Sequence, residues 1–185
     1  MIGTRKKRAG QELVRYATGD DFRRIFAEDL NHLYRLAFLL TGDPAKAEQC
    51  FVAGFEDSVK NNAVFAEWAR SWAKRTIIRN AIQALNPRPG RHDSSPPSTD
   101  FVQAGELPRE QTRHFVFQAV LALEDFDRFV FILSVLERYS DHDCALLLGC
   151  SPAEIEEART RALRTLTGRR EMVFVSELNR EELRS

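Results

Sequence analysis

The chain has few of the residues on which disulfide-built or metal-built folds depend. Its 185 residues include 3 cysteines, Cys50, Cys144 and Cys150. No two stand at CxxC spacing and none adjoins a histidine pair, so neither a zinc-finger pattern nor a disulfide framework can be assembled, and a reduced, cytoplasmic setting is expected. Long hydrophobic runs are also missing. None approaches the ~20 residues that a helix needs to span a bilayer, so no membrane association is expected. The basic start Arg5-Lys6-Lys7-Arg8 leads into no apolar stretch, and reads as a solvated tail rather than a secretory signal. Excess charge of either sign is absent too: 27 Lys+Arg balance 27 Asp+Glu. That excludes a general nucleic-acid coat, and any such contact has to come from local clustering.

The apparatus of catalysis is equally sparse. His32, His92, His114 and His142 are scattered, with no nucleophile spaced to pair with them. There is no Gly-rich phosphate loop, no HExxH and no paired-cysteine ligand set. Asp141-His142-Asp143 reads more simply as polar residues opening a short helix, where acids favour the N-terminal dipole, than as a metal cluster. The expectation is a protein that is not an enzyme and carries neither metal nor cofactor.

What the sequence does have is helical periodicity. Hydrophobic content is 43% and charged content 29%, enough for a packed core. Phe22, Ile25, Phe26, Leu30, Leu33, Leu36, Ala37 and Leu40 recur at three- and four-residue steps, one face of an amphipathic helix. Gly42, Asp43 and Pro44 supply a C-terminal stop, an N-cap and a first-turn proline for the next helix, through Ala47, Phe51, Phe55 and Val59, which Asn61-Asn62 ends. A third runs from about Phe65 to Leu85. The stretch Asn86 to Asp100, "NPRPGRHDSSPPSTD", is a linker by composition. Beyond it Phe115, Val116, Ala119, Val120 and Leu123 form one stripe, and Phe126, Phe129, Val130, Leu133 and Leu136 the next. A short helix from Asp141 to Leu148 ends at Gly149. Ser151-Pro152-Ala153-Glu154 is a capping box opening a last helix with Ile155, Ala158, Ala162, Leu163 and Leu166 on its buried side. The expected fold is all-α. A basic N-terminus (1–20) precedes a helical domain (21–85), a Pro/Ser-rich linker (86–106), a second helical domain (107–168) and a charged tail (169–185).

Two stretches carry functional signals. Trp68 and Trp72 are one helical turn apart, with Lys74, Arg75 and Arg79 beside them. Rings that stack bases and cations that hold phosphates suit single-stranded nucleic acid; the same spacing also suits a core face with a solvated basic flank. "YSDHDCALLLGCSPAEIEEARTRAL" has the short helix, glycine turn and capped second helix of a helix-turn-helix, and equally those of an ordinary helical hairpin.

Together the two halves resemble the sigma-70 family of bacterial transcription initiation factors, in its extracytoplasmic-function group, as a divergent member. "LYRLAFLLTGDPAKAEQCFVAGFEDSV" (Leu33 to Val59) and "FAEWARSWAKRTIIRNAI" (Phe65 to Ile82) look like region 2. "ALEDFDRFVFILSVLERYSDHDCALLLGCSPAEIEEARTRALRTL" (Ala122 to Leu166) looks like region 4, the helix-turn-helix domain. The resemblance implies promoter-directed transcription initiation, with core RNA polymerase and promoter DNA as partners and an anti-sigma or other regulatory protein as a further one. It implies polymerase binding through Glu48, Gln49 and Val52. It implies DNA binding through Trp68, Trp72, Lys74, Arg75 and Arg79 on the melted strand, and through Arg159, Arg161 and Arg164 upstream. The chain departs from the family pattern at the tip of the reading helix. Glu154, Glu156, Glu157 and Ala158 stand where the family has hydroxyls and cations. Carboxylates near phosphates add repulsion where binding needs attraction, so a second expectation stands beside the first: an interaction or regulatory protein of the same fold that has lost upstream reading.

Overall fold

Thr18 starts the first helix by a reciprocal cap. Its hydroxyl accepts from the Asp21 amide (3.3 Å), and the Asp21 carboxylate accepts from the Thr18 amide (2.9 Å) and hydroxyl (2.8 Å). Arg15 also pairs with Asp21 and pins the preceding segment. The structure, a computed structural model, describes residues 15–60, 63–90 and 116–182, with side chains as far as Gly168. The basic N-terminus through residue 14, Asn61-Asn62, most of the linker, Phe115, and the side chains of Met172 to Val175 lie outside the described residues.

The described residues are all-α, with one isolated antiparallel bridge, Tyr16 to Phe65. α1 covers Gly19–Glu28 and α2 Leu30–Thr41. The sequence predicts a single helix across this span, and the structure breaks it at Asp29 (φ −100°, ψ 16°). Arg70 pairs there with both Glu28, the last residue of α1, and Asp29, the residue at the break. Past the break Leu30 is rotated out of the apolar face and is 50% exposed. Gly42 then stops α2 at φ 67°, the left-handed conformation glycine tolerates. Asp43 caps α3 (Pro44–Lys60) by accepting from the Lys46 amide at 2.8 Å.

Phe65 does not open the next helix, because the bridge to Tyr16 holds it extended. A 3-10 turn, Ala66–Trp68, leads into α4, Ala69–Leu85. α3 and α4 touch at Gly54, where an added Cβ would lie 2.7 Å from Ile77 Cγ1 and 3.1 Å from the Ile77 amide nitrogen. One turn away the buried hydroxyls of Ser58 and Thr76 share a hydrogen bond of 3.0 Å across the same seam.

α5 covers 116–121 and α6 Asp125–Phe131. α6 runs on into a π-helical turn, Ile132–Leu136, closed by the Glu137 amide on the Ile132 carbonyl (2.9 Å). α7 is Asp141–Leu148, ended by Gly149 at φ 68°. α8 is Pro152–Glu182. The expected capping box is present: Glu154 accepts from the Ser151 amide at 2.7 Å, and Ser151 accepts from the Glu154 amide at 3.3 Å. α8 continues through Gly168 to Glu182. One expectation for it is corrected: Leu163 is exposed, because only Ile155, Ala158 and Ala162 face α6 and α7 fully.

Buried residues from both halves form one contiguous cluster, from Phe22, Leu33 and Ile77 to Phe129, Leu133 and Ile155. Each fully buried side chain of this size contributes roughly 1.5–3 kcal/mol of burial free energy. Phe38 of α2 stacks on Phe117 of α5 (centroids 5.7 Å apart, planes at 11°). Arg128, only 5% exposed, is a buried polar tie between the halves. Its guanidinium donates to the Leu40 carbonyl at the end of α2 (3.3 Å) and to the Leu121 (3.3 Å) and Leu123 (3.0 Å) carbonyls around the end of α5, and pairs with Asp125. Helix C-termini leave carbonyls without intrahelical partners. A buried cation placed there satisfies them and meets the negative ends of two helix dipoles.

Candidate functional site

A cleft of about 890 Å³ opens between α4 and the segment joining the π-helical turn to α7. It is lined by Trp68, Trp72, Lys74, Arg75 and Arg79, all five of the residues expected to meet a melted strand. From the second half it takes in Glu137, Arg138 and Tyr139.

The two tryptophans meet different fates, which helical spacing alone leaves open. Trp68 ends the 3-10 turn and is 57% exposed. Trp72, one turn into α4, packs against the core, and its indole Nε1 is buried with no hydrogen-bond partner. An N–H left unpaired in a largely buried position costs free energy until an acceptor reaches it. Trp68 does not stand alone. Phe65 packs on it edge to face (5.2 Å between centroids) and Tyr16 stacks on Phe65 (5.0 Å). Tyr16 is itself 56% exposed. The short ribbon that aligns these rings is held by the Ala17 amide on the Val64 carbonyl (2.7 Å) and the Ala66 amide on the Arg15 carbonyl (2.8 Å). Sequence reasoning missed Tyr16, because the pairing that brings it here joins residues nearly fifty positions apart.

The cations differ as well. Arg75 is exposed in the cleft. Arg79 lies 3.5 Å from Asp57 of α3, a long surface pair of little energetic weight. Lys74 is committed: its ammonium donates to Glu137 at 2.7 Å across the two halves. The Glu137 side chain is 9% exposed, and its other oxygen lies 3.6 Å from His32 Nε2, a buried nitrogen with no hydrogen-bond partner. Glu137 also borders a second, mostly apolar cavity of about 530 Å³ between α2, α5 and the π-helical turn.

The second set of expected DNA contacts is used differently. Arg161 of α8 makes a bidentate pair with the buried Asp127 of α6 (2.7 and 3.2 Å). Arg159 pairs with Asp141 of α7, and that carboxylate holds its guanidinium charged still more firmly than usual. Both pairs bind α8 to its neighbours. Arg164 is exposed, one turn beyond Thr160. At the tip Glu156 and Glu157 are exposed, while the Glu154 carboxyl is held below its ordinary pKa by the hydrogen bonds from the Ser151 amide and hydroxyl. The exposed start of α8 is therefore acidic, and two of its three following arginines are engaged.

Glu48, Gln49 and Val52 are all exposed on one side of α3, with Val52 46% exposed, and Cys50 and Ala47 face inward. No thiol is activated: burial pushes Cys144 up to about 11, and burial also raises Cys50 and Cys150. Asp141 and Asp143 serve Arg159 and the Ser140 cap. Among the described residues no three His, Cys, Asp or Glu come together as a metal site requires, and no helix is long and apolar enough to cross a membrane. No protein-family model matches the chain, and no curated protein matches it.

Proposed function

We propose that the chain is a divergent sigma-70-like transcription initiation factor of the extracytoplasmic-function type. In this reading the exposed face of α3 (Glu48, Gln49, Val52) docks on core RNA polymerase, and the α4 cleft takes the melted promoter strand. The observation that carries it is the convergence of Trp68, Trp72, Lys74, Arg75 and Arg79 on one open cleft. An exposed ring stacks a base and neighbouring cations hold its phosphates, a combination that serves single strands and not closed duplex. Run-off transcription with purified core polymerase on a library of genomic promoter fragments tests it. Promoter-specific transcripts that vanish in Trp68→Ala support the reading; no transcript and no co-purification with core polymerase refute it.

A second reading rests on the acidic start of α8 and the engagement of Arg159 and Arg161. It keeps the fold and the polymerase or a regulator as partner, and gives up upstream DNA. Specific retardation of a duplex by the chain, with a steep salt dependence, would remove its basis.

A further inference from the structure

The cleft has two walls, and one of them belongs to the second half. Arg138 and Tyr139 line it opposite α4, together with Ser140. Two features mark that wall. The first is the π-helical turn Ile132–Leu136, a rare irregularity that shifts the register of the residues behind it and often marks functional positions. The second is Arg138, which stands at φ 59°. A side chain in that region is strained, and the strain persists only where the surroundings over-determine it. Here the Tyr139 amide is held on the Leu133 carbonyl at 2.9 Å and Glu137 is held on Lys74 at 2.7 Å, so Arg138 is trapped between two fixed neighbours. Around the cleft four cations, Lys74, Arg75, Arg79 and Arg138, outnumber the two acids, Glu137 and Asp143. Glu137 is already neutralised by Lys74.

We propose that single-stranded nucleic acid is gripped between the two halves of the free chain, with Arg138 and Tyr139 completing the site that α4 begins. Arg138 contacts a phosphate from the wall opposite Arg75. Tyr139 offers a second ring, across from Trp68. The Lys74–Glu137 pair sets the distance between the walls. The inference rests on the single-strand reading of the α4 cleft and adds that α4 alone is an incomplete site.

Full-length chain and a fluorescein-labelled oligo-dT, followed by anisotropy over a salt series, test it. Both tryptophans of the chain line the cleft, so quenching of intrinsic fluorescence reports occupancy directly. Arg138→Gly is the decisive variant. It removes the guanidinium while relieving the positive φ, so the fold is not put at risk. The expected result is a several-fold loss of affinity, with the slope of log K against log salt shallower by about 0.7, the value of one phosphate contact on a single strand. Arg138→Lys restores the slope. Trp68→Ala, which removes a stacking ring, weakens binding roughly five- to a hundredfold. If Trp68→Ala weakens binding but Arg138→Gly leaves affinity and slope unchanged, the two-walled site is overturned and the single-strand reading survives. Absence of binding by the wild-type chain overturns both. Equal competition by thymidine monophosphate at matched phosphate concentration overturns the strand as ligand in favour of a free nucleotide.

Discussion

Replacing Arg128 with methionine keeps an unbranched stem and removes the guanidinium with every polar contact it makes. Three carbonyls lose a donor: Leu40, Leu121 and Leu123. The bonds to Leu40 and Leu121, at 3.3 Å, are long, and the one to Leu123, at 3.0 Å, is well formed. A buried carbonyl left without a partner costs about 1–3 kcal/mol. The 5% exposure of Arg128 gives water little access to replace it. Asp125, half exposed in its side chain, is re-solvated cheaply. Set against these losses, the methionine recovers the desolvation that the guanidinium suffers in the folded chain. The balance expected is a destabilisation of about 3–5 kcal/mol, the range found when one partner of a buried charged arrangement is removed. For a domain stable by about 5–15 kcal/mol that is a large fraction. Urea unfolding followed in parallel by tryptophan emission and far-ultraviolet circular dichroism measures it. Both tryptophans are in the first half, while the dichroism reports every helix. A guanidinium that ties α2 to α5 and α6 therefore predicts that the two transitions coincide in the wild type and separate in Arg128→Met. A loss below about 1 kcal/mol, with coincident transitions and an unchanged denaturant slope, would refute the view that this cation joins the halves.

Other outcomes follow from the same structure. Gly54→Ala forces Ile77, side chain and backbone, away from α3 and is expected to cost about 1–3 kcal/mol by overpacking, seen as a lower urea midpoint. Asp21 is held well below the usual carboxylate pKa by Arg15 first and by Thr18. Its unfolded state binds the proton more readily, so its contribution is complete above about pH 4 and is lost as pH falls further. Thermal melts across that acid range should show a steeper decline for the wild type than for Asp21→Asn. Glu156→Lys combined with Glu157→Ser should give duplex binding whose salt slope steepens by about 0.9 for every additional phosphate neutralised. Electrophoretic mobility shifts over a salt series would show it, and an unchanged slope would mean that this tip does not face DNA.

What was legible in the sequence was local. The Gly42-Asp43-Pro44 junction and the Ser151 to Glu154 box are written in four or fewer neighbouring residues, and each forms as expected. The break at Asp29 was not legible, because no glycine or proline marks it and the arginine that pairs there is 41 residues away. The same holds for the functional residues. Spacing placed Trp68 and Trp72 on one helix, and could not tell that one would be exposed and the other would turn inward. Arg159 and Arg161 read as free cations until Asp141 and Asp127 are brought to them from 18 and 34 positions away. Arg138 carries no local signal at all; its place in the cleft is decided by a π-helical turn that hydrophobic periodicity does not encode.

The close approach at Gly54 has a mechanical meaning. α3 carries the face proposed for polymerase and α4 carries the cleft, and at Gly54 α3 puts no side chain between them, so Ile77 rests directly on its backbone. Two helices pressed together at a glycine and riveted by Ser58 and Thr76 behave as one girder. Whatever seats the outer face therefore also fixes where the cleft points. A partner bound on α3 aims the site by position alone, as a bracket aims a tool, without any conformational signal passing through the core.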